Sequence, residues 1–101
     1  MRPSRTGGAS EGKKTPGTAS TPFAYRGDDN VLYWVWNQPD PSGFYIYTAP
    51  TRNGPYTQGD TFGPTDRNSD PHAYDGLFVY VQAFGSDGVT VGFPSQVVNM
   101  T

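Results

Sequence analysis

The sequence predicts an all-β domain, an antiparallel sandwich of short strands with an extended N-terminal arm. Three observations lead there. Leu and Ile together supply only Leu32, Ile46 and Leu77, too few to build the apolar helix faces of an all-α fold. Eight Val and fifteen Phe, Tyr and Trp dominate the apolar content instead, a mix that suits half-buried strands. Gly and Pro account for 23 of 101 residues, so the chain turns often. Charged residues, at 16%, are too few for a coiled coil, and the net charge of −2 with many aromatics argues against disorder throughout.

The chain divides into an arm, residues 1–21, and a domain, residues 22–101. The arm reads MRPSRTGGASEGKKTPGTAST, with no aromatic and no β-branched apolar residue, which is linker composition. Arg2, Arg5, Lys13 and Lys14 against Glu11 give it +3, whereas Arg26, Arg52 and Arg67 against eight Asp give the remainder −5. A basic arm ahead of an acidic body is expected to lie along an acidic partner surface; a plain solubilising tail is the alternative. Four spread charges without interleaved aromatics do not make a nucleic-acid site, so no nucleic-acid partner is expected. The absence of Cys removes disulfides, thiolate metal sites and a cysteine nucleophile. No apolar run is long enough for a membrane span, and no h-region follows the basic N-terminus, so neither a membrane nor a secretory signal is expected. A start at Met1 leads to the expectation of a whole gene product, released from the cell by some route such as assembly into a particle freed by lysis.

Taken in order, Val31–Trp36 (VLYWVW) is a strand bounded by Gly27-Asp28-Asp29-Asn30 and by Asn37-Gln38-Pro39. Pro39-Asp40-Pro41-Ser42-Gly43 turns the chain into a second strand, Phe44–Thr48 (FYIYT). Tyr56–Phe62 reads as two short pieces, one around Tyr56 and one around Thr61-Phe62. Residues 64–74 are polar and have neither a helical nor a strand period. Leu77–Phe84 (LFVYVQAF) alternates most clearly. Gly85-Ser86-Asp87-Gly88 is a hairpin loop, Val89–Phe93 its return strand, Pro94-Ser95 a break, and Gln96–Val98 a resumption at an edge.

The run of W-N-Q-P at Trp36–Pro39, G-F-Y-I-Y at Gly43–Tyr47 and L-F-V-Y-V-Q-A-F-G-S-D-G at Leu77–Gly88 resembles a fibronectin type III domain, an immunoglobulin-like β-sandwich. Trp36 and Pro39 fall on that family's Trp-x-x-Pro. Gly43, Phe44, Ile46 and Thr48 fall on its Gly-Tyr-x-Val-x-Tyr, and Val79, Val81, Ala83, Gly88 and Ser95 on its later strand, hairpin and Ser. The resemblance covers about residues 23–98 and departs at Leu77, where the family carries its corner tyrosine. It implies a binding or spacing role and no shared chemistry. In its register Leu32, Trp34, Trp36, Phe44, Ile46, Val79, Val81 and Ala83 face the core. Tyr33, Val35, Tyr45, Tyr47, Phe78, Tyr80 and Phe84 then face outward. The FYIYT and LFVYVQAF strands are neighbours in that fold, so Tyr45, Tyr47, Phe78 and Tyr80 are expected to form one aromatic patch, the mark of an interface.

Catalytic motifs are missing. The one His, His72, sits in a loop, and no GxSxG, P-loop or HExxH occurs, so the protein is not expected to be an enzyme. Asp66-x-Asn68-x-Asp70 has the spacing of a calcium loop, but Pro71 and Leu77 stand where that loop needs Gly and Glu; no metal and no cofactor is expected. Arg26-Gly27-Asp28 matches the integrin tripeptide but precedes a strand rather than capping a hairpin.

Two functions follow. The first is a structural or assembly protein resembling the accessory proteins of tailed-phage virions. It would decorate a capsid, docked on a larger protein shell (a major capsid or tail protein) through Arg2, Arg5, Lys13 and Lys14 and through Tyr45, Tyr47, Phe78 and Tyr80. Self-association is a further expectation, and the virion, assembled in a host cytoplasm, is the expected location. The second is a carbohydrate- or cell-surface-binding module, with Tyr33, Tyr45, Tyr47 and Tyr80 stacking on sugar rings beside Asn37 and Gln38.

Overall fold

The computed structural model describes residues 21–101. Six strands run through them: β1 (Phe23–Arg26), β2 (Leu32–Val35), β3 (Gly43–Ala49), β4 (Thr57–Phe62), β5 (Phe78–Phe84) and β6 (Val98–Asn99). A 3-10 turn, Asp28–Asn30, joins β1 to β2. β1 and β2 pair antiparallel as one sheet, and the other has the order β4-β3-β5-β6, antiparallel throughout. Among the described residues no helix is long and apolar enough to cross a membrane.

Strand alternation dictates what lies between the sheets. Leu32, Trp34, Phe44, Ile46, Val79, Val81 and Ala83 are at most 2% exposed, as their parity predicts. Trp36 departs from that expectation. β2 ends at Val35, and Trp36 is half-buried at the rim, its ring edge-on to Phe44 at 5.7 Å and its Nε1 donating to the Pro39 carbonyl at 3.0 Å. Ala24, Tyr74, Val98 and Met100 complete the core.

Both sheets are extended by segments that pair through a serine. Arg67–Ser69 runs beside β2: Trp34 N donates to Arg67 O at 2.9 Å and Ser69 N to Leu32 O at 2.8 Å. The Leu32 N–H takes the buried Ser69 hydroxyl, at 3.0 Å, in place of a backbone carbonyl. On the far side of β5, Ser95 N donates to Val81 O at 2.8 Å, and Val81 N donates to Ser95 Oγ at 2.9 Å. The return strand expected at Val89–Phe93 does not form a ladder. One bridge, Phe84↔Thr90, and the bond from Val91 N to Ala83 O hold it. Gly92 at φ +70 then turns the chain out of the extended conformation, and Pro94 has no N–H to give. Pairing resumes in β6.

The two short pieces expected between Tyr56 and Phe62 are one strand, β4, with a bulge. Gln58 stands opposite Tyr47 and Thr61 opposite Tyr45, so two residues, Gly59 and Asp60, face Ile46. The extra residue turns the Asp60 carboxylate to accept a hydrogen bond from the buried Tyr74 hydroxyl at 2.7 Å. A bulge with a carboxylate turned toward the sandwich blunts this outer strand against pairing with another chain. The opposite edge strand, β6, is only two residues long, and just before it the Gln96 side-chain amide donates to Ala24 O of β1.

Candidate functional site

Tyr45 and Tyr47 of β3, with Phe78, Tyr80 and Phe84 of β5, stand at outward positions and give the four-stranded sheet an aromatic outer face. Register places Tyr47 beside Tyr80, Tyr45 beside Gln82 and Ala49 beside Phe78. The Tyr47 and Tyr80 rings stack at 4.6 Å and 14°, and the Tyr56 ring meets Tyr80 at 5.0 Å, tilted by 53°. Tyr45 stacks on Phe84 at 4.2 Å and meets Tyr47 edge-on at 6.4 Å. The Arg52 guanidinium lies 5.1 Å over Phe78.

Tyr45, Tyr47 and Tyr80, with Tyr56 and Phe84, therefore form one continuous array, with Phe78 at its end under Arg52. All of these rings are half-buried. Burial first, and then the neighbouring phenols, push the Tyr47 and Tyr80 hydroxyls above the usual tyrosine range.

Two members were not legible as members. Tyr56 lies just before β4, and its hydroxyl donates to Arg52 O at 2.7 Å, which folds the loop so that the ring reaches Tyr80. Phe84 faces outward as its parity predicts, and its ring also lies across Gly43, its cross-strand partner. A Cβ on Gly43 would sit 2.6 Å from that ring, so the glycine admits the ring that Tyr45 then covers. The following hairpin is tied to the same face, Tyr45 Oη donating to Gly88 O at 2.8 Å and Gln82 Nε2 to Gly92 O at 3.1 Å. It carries Val89, Val91 and Phe93, 60%, 40% and 59% exposed. Arg2, Arg5, Lys13 and Lys14 of the expected docking arm lie outside the described residues.

A second aromatic group lies on the outer face of the small sheet, where Tyr25 stacks on Tyr33 at 5.3 Å and Phe23 follows at 6.0 Å. Tyr33 and Val35 face outward as their parity predicts, whereas β1, with the sequence FAYR, is too short and mixed to stand out.

The remaining candidates resolve into local structure. Arg26 of the Arg-Gly-Asp tripeptide donates to Thr101 O at 3.0 Å, and Gly27 is packed beneath the Tyr33 ring. Arg26 ends β1, and Gly27 and Asp28 enter the β1–β2 turn, so the tripeptide opens that connection and not the Gly85–Gly88 hairpin. Asp66 Oδ2 accepts from Gly63 N at 2.8 Å within its own turn, and Arg67 between the two Asp pairs with Asp40 at 3.0 Å. Among the described residues no group of His, Cys, Asp or Glu is placed to hold a metal ion. His72 Nδ1 lies 2.9 Å from Asp75 Oδ2. The Asp75 carboxyl is held below the usual range, first by the hydrogen bond from Asn30 and then by His72 and Arg26. This knot lines a cavity of about 470 Å³ at the end of the sandwich, floored by Met100. The Asn30 side-chain amide also donates to Met100 O at 2.9 Å, so the knot anchors the chain after β6 to the β1–β2 turn.

The architecture is a fibronectin type III-like β-sandwich of the immunoglobulin-like class. Among solved structures, a Fn3-like protein from Clostridium thermocellum is similar to it, with a TM-score of 0.52 and 22% identity over 78% of this chain and 85% of that one. Pectate lyase Pel3 from Pectobacterium carotovorum contains a region with a TM-score of 0.59 at 9% identity, matching 81% of this chain. The chain spans 26% of the pectate lyase's length. No protein-family model matches the sequence, and no curated protein matches it. At these identities the likeness is one of fold. In place of the corner tyrosine missing at Leu77, Tyr74 is buried three residues earlier and bonded to Asp60.

Proposed function

We propose that this protein is a non-enzymatic docking module of a larger protein assembly and that the outer face of the four-stranded sheet is its contact surface. The observation that carries this reading is the continuous aromatic array of Tyr45, Tyr47, Tyr56, Tyr80 and Phe84, flanked by the exposed Val89, Val91 and Phe93. Tyr and Phe ordered by stacking offer large contact area with little side-chain entropy left to lose, which is what interface anchors need. Both outer strands are blunted, so the geometry favours docking by a face over addition of a strand. Arg2, Arg5, Lys13 and Lys14 supply charge for steering toward an acidic partner.

In its more specific form the reading makes the assembly a virion shell that the protein decorates. The carbohydrate reading has less support on this face. A sugar ring stacks on a free aromatic face, and the pairs Tyr47–Tyr80 and Tyr45–Phe84 already cover one face of each ring. Sedimentation of native material through a density gradient, with each fraction probed for this protein, tests the proposal. Co-migration with a virion-sized particle is the expected result; recovery only at the top, as a small species, overturns it.

A further inference from the structure

The outer face of the small sheet is apolar and open. β1 and β2 pair with Phe23 opposite Val35 and Tyr25 opposite Tyr33. These side chains share that face, and Phe23, Tyr25 and Val35 are 57%, 43% and 43% exposed. No charged residue interrupts them. Charge is segregated along the strands instead. At the end where Arg26 meets Leu32 stand Asp28 and Asp29 of the connecting turn and Asp70, which follows Ser69 beside Leu32; all three are exposed. The nearby Arg26 guanidinium is drawn to Thr101 O. At the other end, two residues before Phe23, the body joins residues 1–20 with their charge of +3.

We propose that this face is the contact between two copies of the chain, packed face to face about a two-fold axis with their strands antiparallel. The argument is charge complementarity joined to chain position. Two bodies of −5 repel, which disfavours contact between the bodies alone. Antiparallel packing brings the Phe23 end of each copy, with Arg2, Arg5, Lys13 and Lys14 attached there, to the Asp28–Asp29–Asp70 end of the other. Parallel packing would put acid against acid. Phe23 of one copy then meets Tyr25 of its partner and Val35 meets the partner's Tyr33, and each contact is made twice, as a closed two-fold interface requires. The basic segment contains no aromatic residue with which to cover the face itself.

Sedimentation equilibrium of the full-length chain tests this. The expected result is a dimer that weakens as salt rises. Tyr25→Lys and, separately, Phe23→Lys are expected to leave monomers with an unchanged far-ultraviolet circular dichroism spectrum, since both positions are exposed. Replacing Arg2, Arg5, Lys13 and Lys14 by Gln is expected to weaken the dimer about tenfold at low salt. A chain monomeric throughout the micromolar range overturns the proposal. So does a dimer that survives both lysine variants, or one dissolved only by a lysine at Tyr80 on the opposite face. Association indifferent to the Gln replacements overturns the antiparallel arrangement.

Discussion

Tyr74→Phe removes one oxygen atom and tests how the β4 bulge is held. In the wild type the Tyr74 side chain is buried, and its hydroxyl donates to Asp60 at 2.7 Å. Hydrogen bonds to charged groups contribute about 1.5–3 kcal/mol. Asp60 is exposed and regains water when its donor is lost, so the lower end applies, about 1.5 kcal/mol. In a domain of this size that is a fall in Tm of about 6–12 °C. The same bond has a signature in pH. Burial, then the bond to Asp60, raise the Tyr74 hydroxyl far above the ordinary tyrosine value. The folded state holds that proton more tightly than the unfolded chain does. Its stabilisation is therefore complete below the unfolded tyrosine pKa of about 10 and declines as pH rises above it. Urea titrations from neutral pH to strongly alkaline solution read both effects. Tyr74→Phe should lower stability at neutral pH and flatten the alkaline decline, and Asp60→Asn should couple to it in a double-mutant cycle. Equal stability of Tyr74→Phe and wild type at neutral pH, with the same alkaline slope, would refute the reasoning.

Ser95→Ala leaves the buried Val81 N–H without its acceptor and should cost about 1–3 kcal/mol by urea denaturation; a neutral change would mean that the serine does not serve as a ladder partner. Gly43→Ala drives a methyl group into the Phe84 ring and the Phe62 carbonyl, and should destabilise by about 1–3 kcal/mol while separating Phe84 from Tyr45. A nuclear Overhauser contact between those two rings that persists unchanged would contradict it. Calcium followed by chelator should leave the melting temperature where it was, because Asp66 is committed to Gly63 N and no described cluster fits a metal ion; a rise on adding calcium would reinstate the Asp66–Asp70 loop.

What was legible in the sequence was whatever period two controls. The alternation in LFVYVQAF and FYIYT assigned Val79, Val81, Ala83, Phe44 and Ile46 to the core and gathered Tyr45, Tyr47 and Tyr80 on one face, because adjacent side chains of a strand have only two directions to take. What was not legible depends on irregular chain. Tyr74 lies in a polar stretch with no period, and it is the Asp60 bulge that gives its hydroxyl a partner. Tyr56 joins the array through a loop bond to Arg52 O that no local pattern announces. Met100 fills the core although only two residues around it are strand, since its position is set by bonds from Asn30 and from Gly76 to its carbonyl. The return strand failed for the opposite reason. Val89–Phe93 alternates, but Gly92 takes a positive φ and overrides the pattern.

The aromatic array as a docking face is the central claim, and one comparison tests it most directly. Wild-type protein and Tyr80→Lys, matched in circular dichroism spectrum, are sedimented with the particle fraction of the native source. Tyr80 meets both Tyr47 and Tyr56, so a lysine there places an ammonium in the middle of the array. The account predicts that wild type pellets with the particle and that Tyr80→Lys stays in the supernatant. Equal pelleting of the two would contradict it.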